Sequence, residues 1–392
     1  MSQLKVNTIR HTGASSDAIT LAADGTAAIG ECTAKITNQP PSNRNILING
    51  AMTVSQRGTE ETGISGTWAY RKAPDRWFFD GTPSGAAWTV GQATEAPAGF
   101  ANSYKVQCTT ADTSLAADDT VLLYQRIEGR DVQHLLKGTS DAKKLVLSFY
   151  LKTSKTGVYV INLDDIDNSR RNNKSITVSD TNWNRYTLVF EGDTTGAFGN
   201  DNEASLGVTL WLAAGANHEG TALPSGWHAN NNDTRATGNV NFADNTSNVL
   251  YFTGVQLEVG DVATDFEHRS YGEELAKCQR YCFNLITTNC GQYATLAIGT
   301  YYNSSSVYSR IPFPVTMRSK PTLLTSDLTD GYNVYRNGAV DFVNNWVLGA
   351  NQSGCNGAQI WNGDDASGTG GHGCMIRRGS SSTNYFVFDA EI

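Results

Sequence analysis

The sequence is short of proline, of charge, of long apolar runs and of clustered basic residues. Of 392 residues only 9 are proline, while 38 are glycine. With Ser, Thr and Asn also abundant, that profile suits many short strands joined by turns. Charged residues make up 17%, below the usual quarter or so. No apolar run approaches the roughly 20 residues that cross a bilayer, so no membrane insertion is expected. No apolar segment follows a basic N-terminus, so no secretory signal is read, and the chain is expected to be made in a cytoplasm. The longest basic runs are the pairs Arg170–Arg171 and Arg377–Arg378, and the net charge is −8. Binding to a polyphosphate backbone needs clustered Lys and Arg, so nucleic acid is excluded as a partner. Disorder is excluded too, because 39% hydrophobic and 10% aromatic residues supply a core.

Catalytic constellations are also missing. The six histidines (His11, His134, His218, His228, His268, His372) are scattered, with no metal-ligand spacing. No G-x-S-x-G lies on a strand–turn–helix element. The seven cysteines are an odd number. Cys278 and Cys282 stand four apart on a helical pattern, which places packed thiols on one face more readily than a zinc site. A cytoplasmic origin favours free thiols. Asp164, Asp165 and Asp167 offer oxygen ligands but lack the glycine and distal glutamate of a calcium loop, so they read as a solvated turn. Two of the 38 acidic residues brought together in space would make a glycosidase pair, but no spacing points to one. No catalytic residue, metal or cofactor is expected.

What the chain does have is a strand rhythm. One stretch, residues 254 to 282, organises it. Val255, Leu257 and Val259 alternate with polar residues as in a half-buried strand. Ser270 then reads as a helix N-cap with Glu273 as its capping-box partner. Leu275, Cys278 and Cys282 share one helical face. Before this stretch, NILINGAMTVSQRG (residues 45–58) reads as a strand. Aromatic-rich strands follow in YRKAPDRWFFD, AAWTVGQA, SYKVQCTT and VLLYQRIEG. Residues 131 to 138 read as a helical turn ending at Gly138. KLVLSFYLKTS, GVYVINLDD, NKSITVSD, RYTLVFEGD, SLGVTLWLAAG and NVLYFTGVQLEVG continue the pattern. The rhythm predicts an antiparallel β-sandwich, most simply a jelly roll. Ahead of it, residues 1–44 hold two β-like runs around Asp24–Gly25 and a linker with Pro40 and Pro41. That is too little apolar mass to fold alone. After it, residues 283–392 read as strands with a hairpin at Asn337–Gly338 and long exposed loops from Asn351 to Gly373. The expected class is all-β, with an N-terminal segment (1–44), a sandwich (45–270), a connecting helix (271–282) and a C-terminal β-domain (283–392).

The segment TGVQLEVG..ATDFEHRSYGEELAKCQRY resembles a module of tail-fibre and appendage proteins of tailed bacteriophages. LSFYLKTSKTGVYVINL and TNWNRYTLVFEGDTTG extend the resemblance over roughly residues 45 to 282. The opening MSQLKVNTIRHTGASSDAITLAADGTAAIG is similar to the start of marine phage fibre proteins, those of cyanophages in particular. FPVTMRSKPTLLTSD and NYFVFDAEI are similar to the distal domain that follows the module. The resemblance implies a virion fibre that anchors by its N-terminus to tail, neck or adaptor proteins. It implies a homotrimer and a distal domain that recognises a host-surface glycan or receptor. Such a chain leaves the host by lysis, as part of a particle. A neck or head appendage without receptor duty is the first alternative. A glycan-depolymerising tailspike is the second.

Aromatic rings in polar loops are the expected sugar contacts, because sugar faces stack on them while Asn and Asp serve the hydroxyls. Trp346 and Trp361 lie in or beside polar loops of the last domain, with Tyr332 and Tyr335 nearby. Trp227 lies in the polar stretch LPSGWHANNND. Trp211, mid-strand in VTLWLAAG, reads as core. Loops on a β-scaffold are where recognition usually resides, so the loops between Ser326 and Gly379 are the expected contact surface.

Overall fold

The computed structural model describes residues 8–9, 19–21, 27–29, 43–66, 68–70, 74–82, 85–286, 290–326, 330–363, 366–380 and 385–392. The chain divides into two compact units, Met1–Arg44 and Asn45–Ile392. In the first, β1 (Thr8–Ile9), β2 (Ile19–Leu21) and β3 (Ala27–Ile29) form one antiparallel sheet in that order. Asp24–Gly25, the Pro40–Pro41 linker, His11 and Cys32 lie outside the described residues.

The second unit opens with β4 (Glu60–Ser65), β5 (Trp68–Tyr70), β6 (Phe78–Gly81), β7 (Ala87–Ala93) and β8 (Ser103–Thr110). Then come β9 (Thr120–Glu128), β10 (Leu145–Thr153), β11 (Gly157–Asp165) and β12 (Arg170–Val178). The set closes with β13 (Asn184–Phe190), β14 (Ala204–Ala214), β15 (Trp227–Ala229) and β16 (Val249–Val259). Two antiparallel sheets result, ordered β13-β10-β16-β8-β7-β4 and β15-β12-β11-β14-β9-β6-β5. Alternate residues of both enter one core, Val106, Leu123, Phe149, Leu163, Leu210 and Leu257 among them. The sandwich expected from the rhythm is therefore present. The helical turn near 131 to 138 is a pair of tight turns, Gly129–Asp131 and Gln133–Leu135, followed by Gly138 at φ +83°.

Three local expectations fail for identifiable reasons. Residues 45–58 form no strand, because Asn49 (φ 57°) and Met52 (φ 56°) break the extended path. The segment still runs beside β16, with Ile46 N–H donating to Leu257 O at 2.9 Å and Val255 N–H to Gly50 O at 2.9 Å. β16 is buried on both faces rather than one. The loop after it folds back, so Thr264 N–H reaches Glu258 Oε1 at 2.7 Å and Glu267 N–H reaches Gln256 Oε1 at 2.8 Å. Gly254 (φ +63°) lies at the register shift of β16 against β10, and a Cβ there would meet the Phe100 and Tyr150 rings within 3 Å. Cys282 begins a strand instead of ending the helix.

The helix, α1, is Tyr271–Gln279, and both halves of its capping box form between Ser270 and Glu273. The C-terminal part has β17 (Cys282–Asn284), β18 (Thr295–Tyr301), β19 (Val307–Pro312), β20 (Thr322–Thr325) and β21 (Tyr332–Arg336). It continues with β22 (Ala339–Val343), β23 (Val347–Leu348), β24 (Gly357–Asn362), β25 (Gly373–Arg378) and β26 (Phe386–Asp389). β22-β21-β25-β18-β19-β24-β23 form one sheet and β17-β26-β20 another, around a second core. The β21–β22 hairpin turns at Asn337 (φ 43°) and Gly338 (φ 77°), the two left-handed residues such a turn requires. The stretch from Asn351 to Gly373 is not all loop. It contains β24, paired with β19 over six residues.

Candidate functional site

The outer face of the seven-stranded sandwich sheet carries a cleft of about 260 Å³. Period-2 alternation produces it. Leu123, Leu163, Val208 and Leu210 point into the core, so the residues between them point out. Register aligns these outward residues in three rows. One row runs Arg126, Gly207, Asp164, Arg171 and His228. The next runs Phe78, Tyr124, Thr209, Asn162 and Asn173. The third holds Asp80, Leu122 and Trp211.

A wall rises on one side, where the chain between β14 and β16 folds over the sheet. Trp211, Val160 and Ala236 pin it with a small apolar cluster of their own. Asn162 Nδ2 ties it at Arg235 O (3.2 Å), and Asn173 Nδ2 ties it at Thr234 O. Asn230 and Arg235 of this wall face the cleft. Gly207 contributes no side chain, which keeps the floor low.

The cleft is polar with an aromatic flank. Tyr124 stacks on the buried Phe78 ring at 5.0 Å and 7°, and the Arg126 guanidinium lies 5.1 Å from the Tyr124 ring centre. Asp164 accepts from Arg171 Nε and from Thr209 Oγ1, the latter at 2.9 Å. The Trp211 indole N–H donates to Asn162 Oδ1. Asp165, one residue on, pairs with Lys137 at 2.5 Å. The first two acids of the run 164 to 167 therefore have Arg171 and Lys137 as cations. The third, Asp167, accepts from Gly199 N–H at 2.8 Å. Burial pushes the Arg235 guanidinium below its ordinary value, and the neighbouring Arg171 charge adds to that, while Asp164 opposes it. Among the described residues no group of three His, Cys, Asp or Glu is placed to hold a metal ion. No helix among them is long and apolar enough to cross a membrane.

The aromatics expected to contact ligand are dispersed. Tyr332 is fully buried, its hydroxyl donating to Tyr385 O at 2.6 Å. Trp346 is 4% exposed and belongs to the second core. A ring without exposed surface offers no face to a sugar, so these two are corrected to packing residues. Tyr335 is half-buried under the Arg377 guanidinium, 3.9 Å from its ring centre. Trp227 lies at the edge of the sandwich sheet and donates to Glu191 O at 2.7 Å. Trp361 is on β24, stacked with Tyr308 at 6.0 Å and 14°, and Tyr308 meets the exposed Tyr302 at 5.4 Å. None of the five lines the sandwich cleft. The polar strand residues of the cleft escaped sequence reading because each is the polar half of an alternating strand, and Asn230 and Arg235 because they come from the wall.

No family model matches the sequence, and no curated protein matches it. Among solved structures the chain is similar to a putative sugar binding protein from Bacteroides thetaiotaomicron, at 11% identity and TM-score 0.30, covering 55% of this chain and 100% of that one. It is similar to the family 11 carbohydrate-binding module of a Clostridium thermocellum cellulase, at 13% identity and TM-score 0.26, covering 53% of this chain and 99% of that one. It is also similar to the CBM22-1 xylan-binding domain from Paenibacillus barcinonensis, at 12% identity and TM-score 0.25, covering 54% of this chain and 100% of that one.

Proposed function

We propose that this chain is a carbohydrate-binding protein and that the sugar lies in the cleft on the outer face of the seven-stranded sheet. The three rows carry the reading. They place a supported aromatic ring, Tyr124, beside the hydroxyl, carboxylate and guanidinium groups of Thr209, Asp164 and Arg126, over a floor held by the buried Asn162. That mixture suits a ring with one apolar face and several hydroxyls. The cleft volume falls just below the roughly 300 Å³ at which drug-sized sites begin, which suits one or two sugar rings. Binding without bond cleavage is the role assigned, since Asp164 is engaged by Arg171 and Thr209. Tyr124→Leu tests the site. Retention on immobilised host-surface polysaccharide should fall roughly 2- to 10-fold, as expected for losing a stacked ring. Unchanged retention moves the site elsewhere. New reducing ends released from the polysaccharide would instead make the chain an enzyme.

The setting we propose is a fibre of a tailed-phage virion, trimeric and attached through residues 1–44. The resemblance of residues 254 to 282 supports it, as do the three very short strands of the first unit. Electron density for the intact particle would locate the chain, and a monomer mass in light scattering would remove the trimer. A second reading keeps recognition in the C-terminal part. The run Tyr302, Tyr308 and Trp361 favours it, because Tyr302 is 75% exposed at its end.

A further inference from the structure

The cleft is cationic in a protein that is not. Among the described residues its charged lining is Asp80, Asp164, Asp165, Arg126, Arg171 and Arg235. Asp165 is neutralised by Lys137, and Asp164 is shared between Arg171 and Thr209. Three guanidiniums therefore meet two remaining carboxylates, in a chain of net charge −8. Two of the three are under-satisfied. Arg171 is only 5% exposed, and its Nη1 has no hydrogen-bond partner among the described residues. Arg235 Nε is likewise without one, and Arg235 Nη2 makes a single 3.4 Å contact to Asn230 Oδ1. Burying a guanidinium with an unpaired N–H is costly. An anionic oxygen offers the partner this site lacks, whereas a neutral hydroxyl offers only a dipole.

We propose that the cleft takes an acidic saccharide, with a carboxylate or sulfate of the sugar received by Arg235 and Arg171 and flanked by Arg126. This rests on the reading of the cleft as a sugar site and adds the class of sugar. The planar guanidinium fork matches such oxyanions in geometry as well as charge.

The test is a printed array of neutral, uronic-acid-containing and sulfated glycans probed with the full chain. The tightest binder is then titrated beside its carboxyl-reduced or desulfated counterpart. Acidic glycans should be retained, and removing the anion should weaken binding roughly 10- to 100-fold, the range for a charge-assisted hydrogen bond. Whichever treatment weakens binding identifies the anion. Binding should fall with added salt, and Arg235→Gln should abolish the preference for acid while leaving melting unchanged. If Arg235→Gln does not fold, Arg126→Gln, at an exposed side chain, serves in its place. Equal retention of the neutral counterpart overturns the acidic class and leaves the sugar site standing. Retention of no glycan at all overturns both.

Discussion

The Arg76 guanidinium closes on the Glu391 carboxylate across 315 positions of chain, with both side chains about 1% exposed. Arg57 joins them, reaching Glu391 at 3.3 Å and Asp389 at 3.4 Å. Tyr281 lies over Arg76 at 3.5 Å from its ring centre. Burial alone would lower both arginines, but the carboxylates more than reverse this and hold them raised. The last residues are thereby locked against the first part of the sandwich.

Removing one partner of such a pair strands a buried charge. Glu391→Gln is expected to cost about 3–5 kcal/mol, read as a lower denaturant midpoint. A loss below about 1 kcal/mol, the scale of an exposed ion pair, would mean that the seam does not need the charge.

Gly207 tests the cleft without touching the core. A Cβ there would meet Asp164 Cβ at an ordinary 3.5 Å, and valine suits a strand. Gly207→Val should melt at the parent temperature or higher, by up to about 1 kcal/mol, while losing glycan retention. Full retention with a normal melt would show that ligand lies off this floor.

Trp346 and Trp361 should behave oppositely. Trp346→Ala empties part of a core and is expected to cost about 3–5 kcal/mol. Trp361→Ala removes one stacked ring from a sheet surface and should cost about 1 kcal/mol. If cell adsorption drops in the second variant while melting barely changes, the C-terminal reading of recognition gains its support.

Acid sensitivity has a calculable sign. Burial would raise Asp193, but hydrogen bonds from Arg170, Thr195 N–H and Lys137 hold it below its ordinary 3.8. A depressed native value means the unfolded chain takes up the proton first as pH falls. Its stabilisation is therefore complete above about pH 4 and fades below it. Asp75 runs the other way, since burial raises it despite Arg57, and its contribution turns unfavourable as pH rises past the unfolded value. Asp193→Asn should melt lower than the parent at neutral pH, and the gap should narrow below about pH 4. A gap constant from pH 3 to pH 7 would contradict the assignment.

Much of this architecture is written locally. Ser270 and Glu273 announce the helix start, and Asn337–Gly338 announces its hairpin, because each acts through neighbours in sequence. Strand alternation carries the sandwich for the same reason. The cleft is different. Asp80, Arg126, Asp164 and Gly207 come from four strands that only register brings together, and Arg235 reaches them from the wall folded over the sheet. Arg170–Arg171 reads only as a short basic run, and nothing in it shows that Arg171 pairs with Asp164 across the β11–β12 ladder. Tyr332 shows the converse error, since a ring in a polar context was drawn inward by pairing of β21 between β22 and β25.

β26 is the middle strand of its sheet, and β17 and β20 touch it but not each other. During synthesis those two strands leave the ribosome first and wait, unpaired, until residues 386 to 389 arrive. The same residues deliver Asp389 and Glu391 to Arg57 and Arg76. Until residues 386 to 391 join, β17 and β20 each keep a bare edge, and Arg57 and Arg76 lack the Asp389 and Glu391 carboxylates. Such a nascent chain is a ready substrate for chaperones and a poor one for assembly.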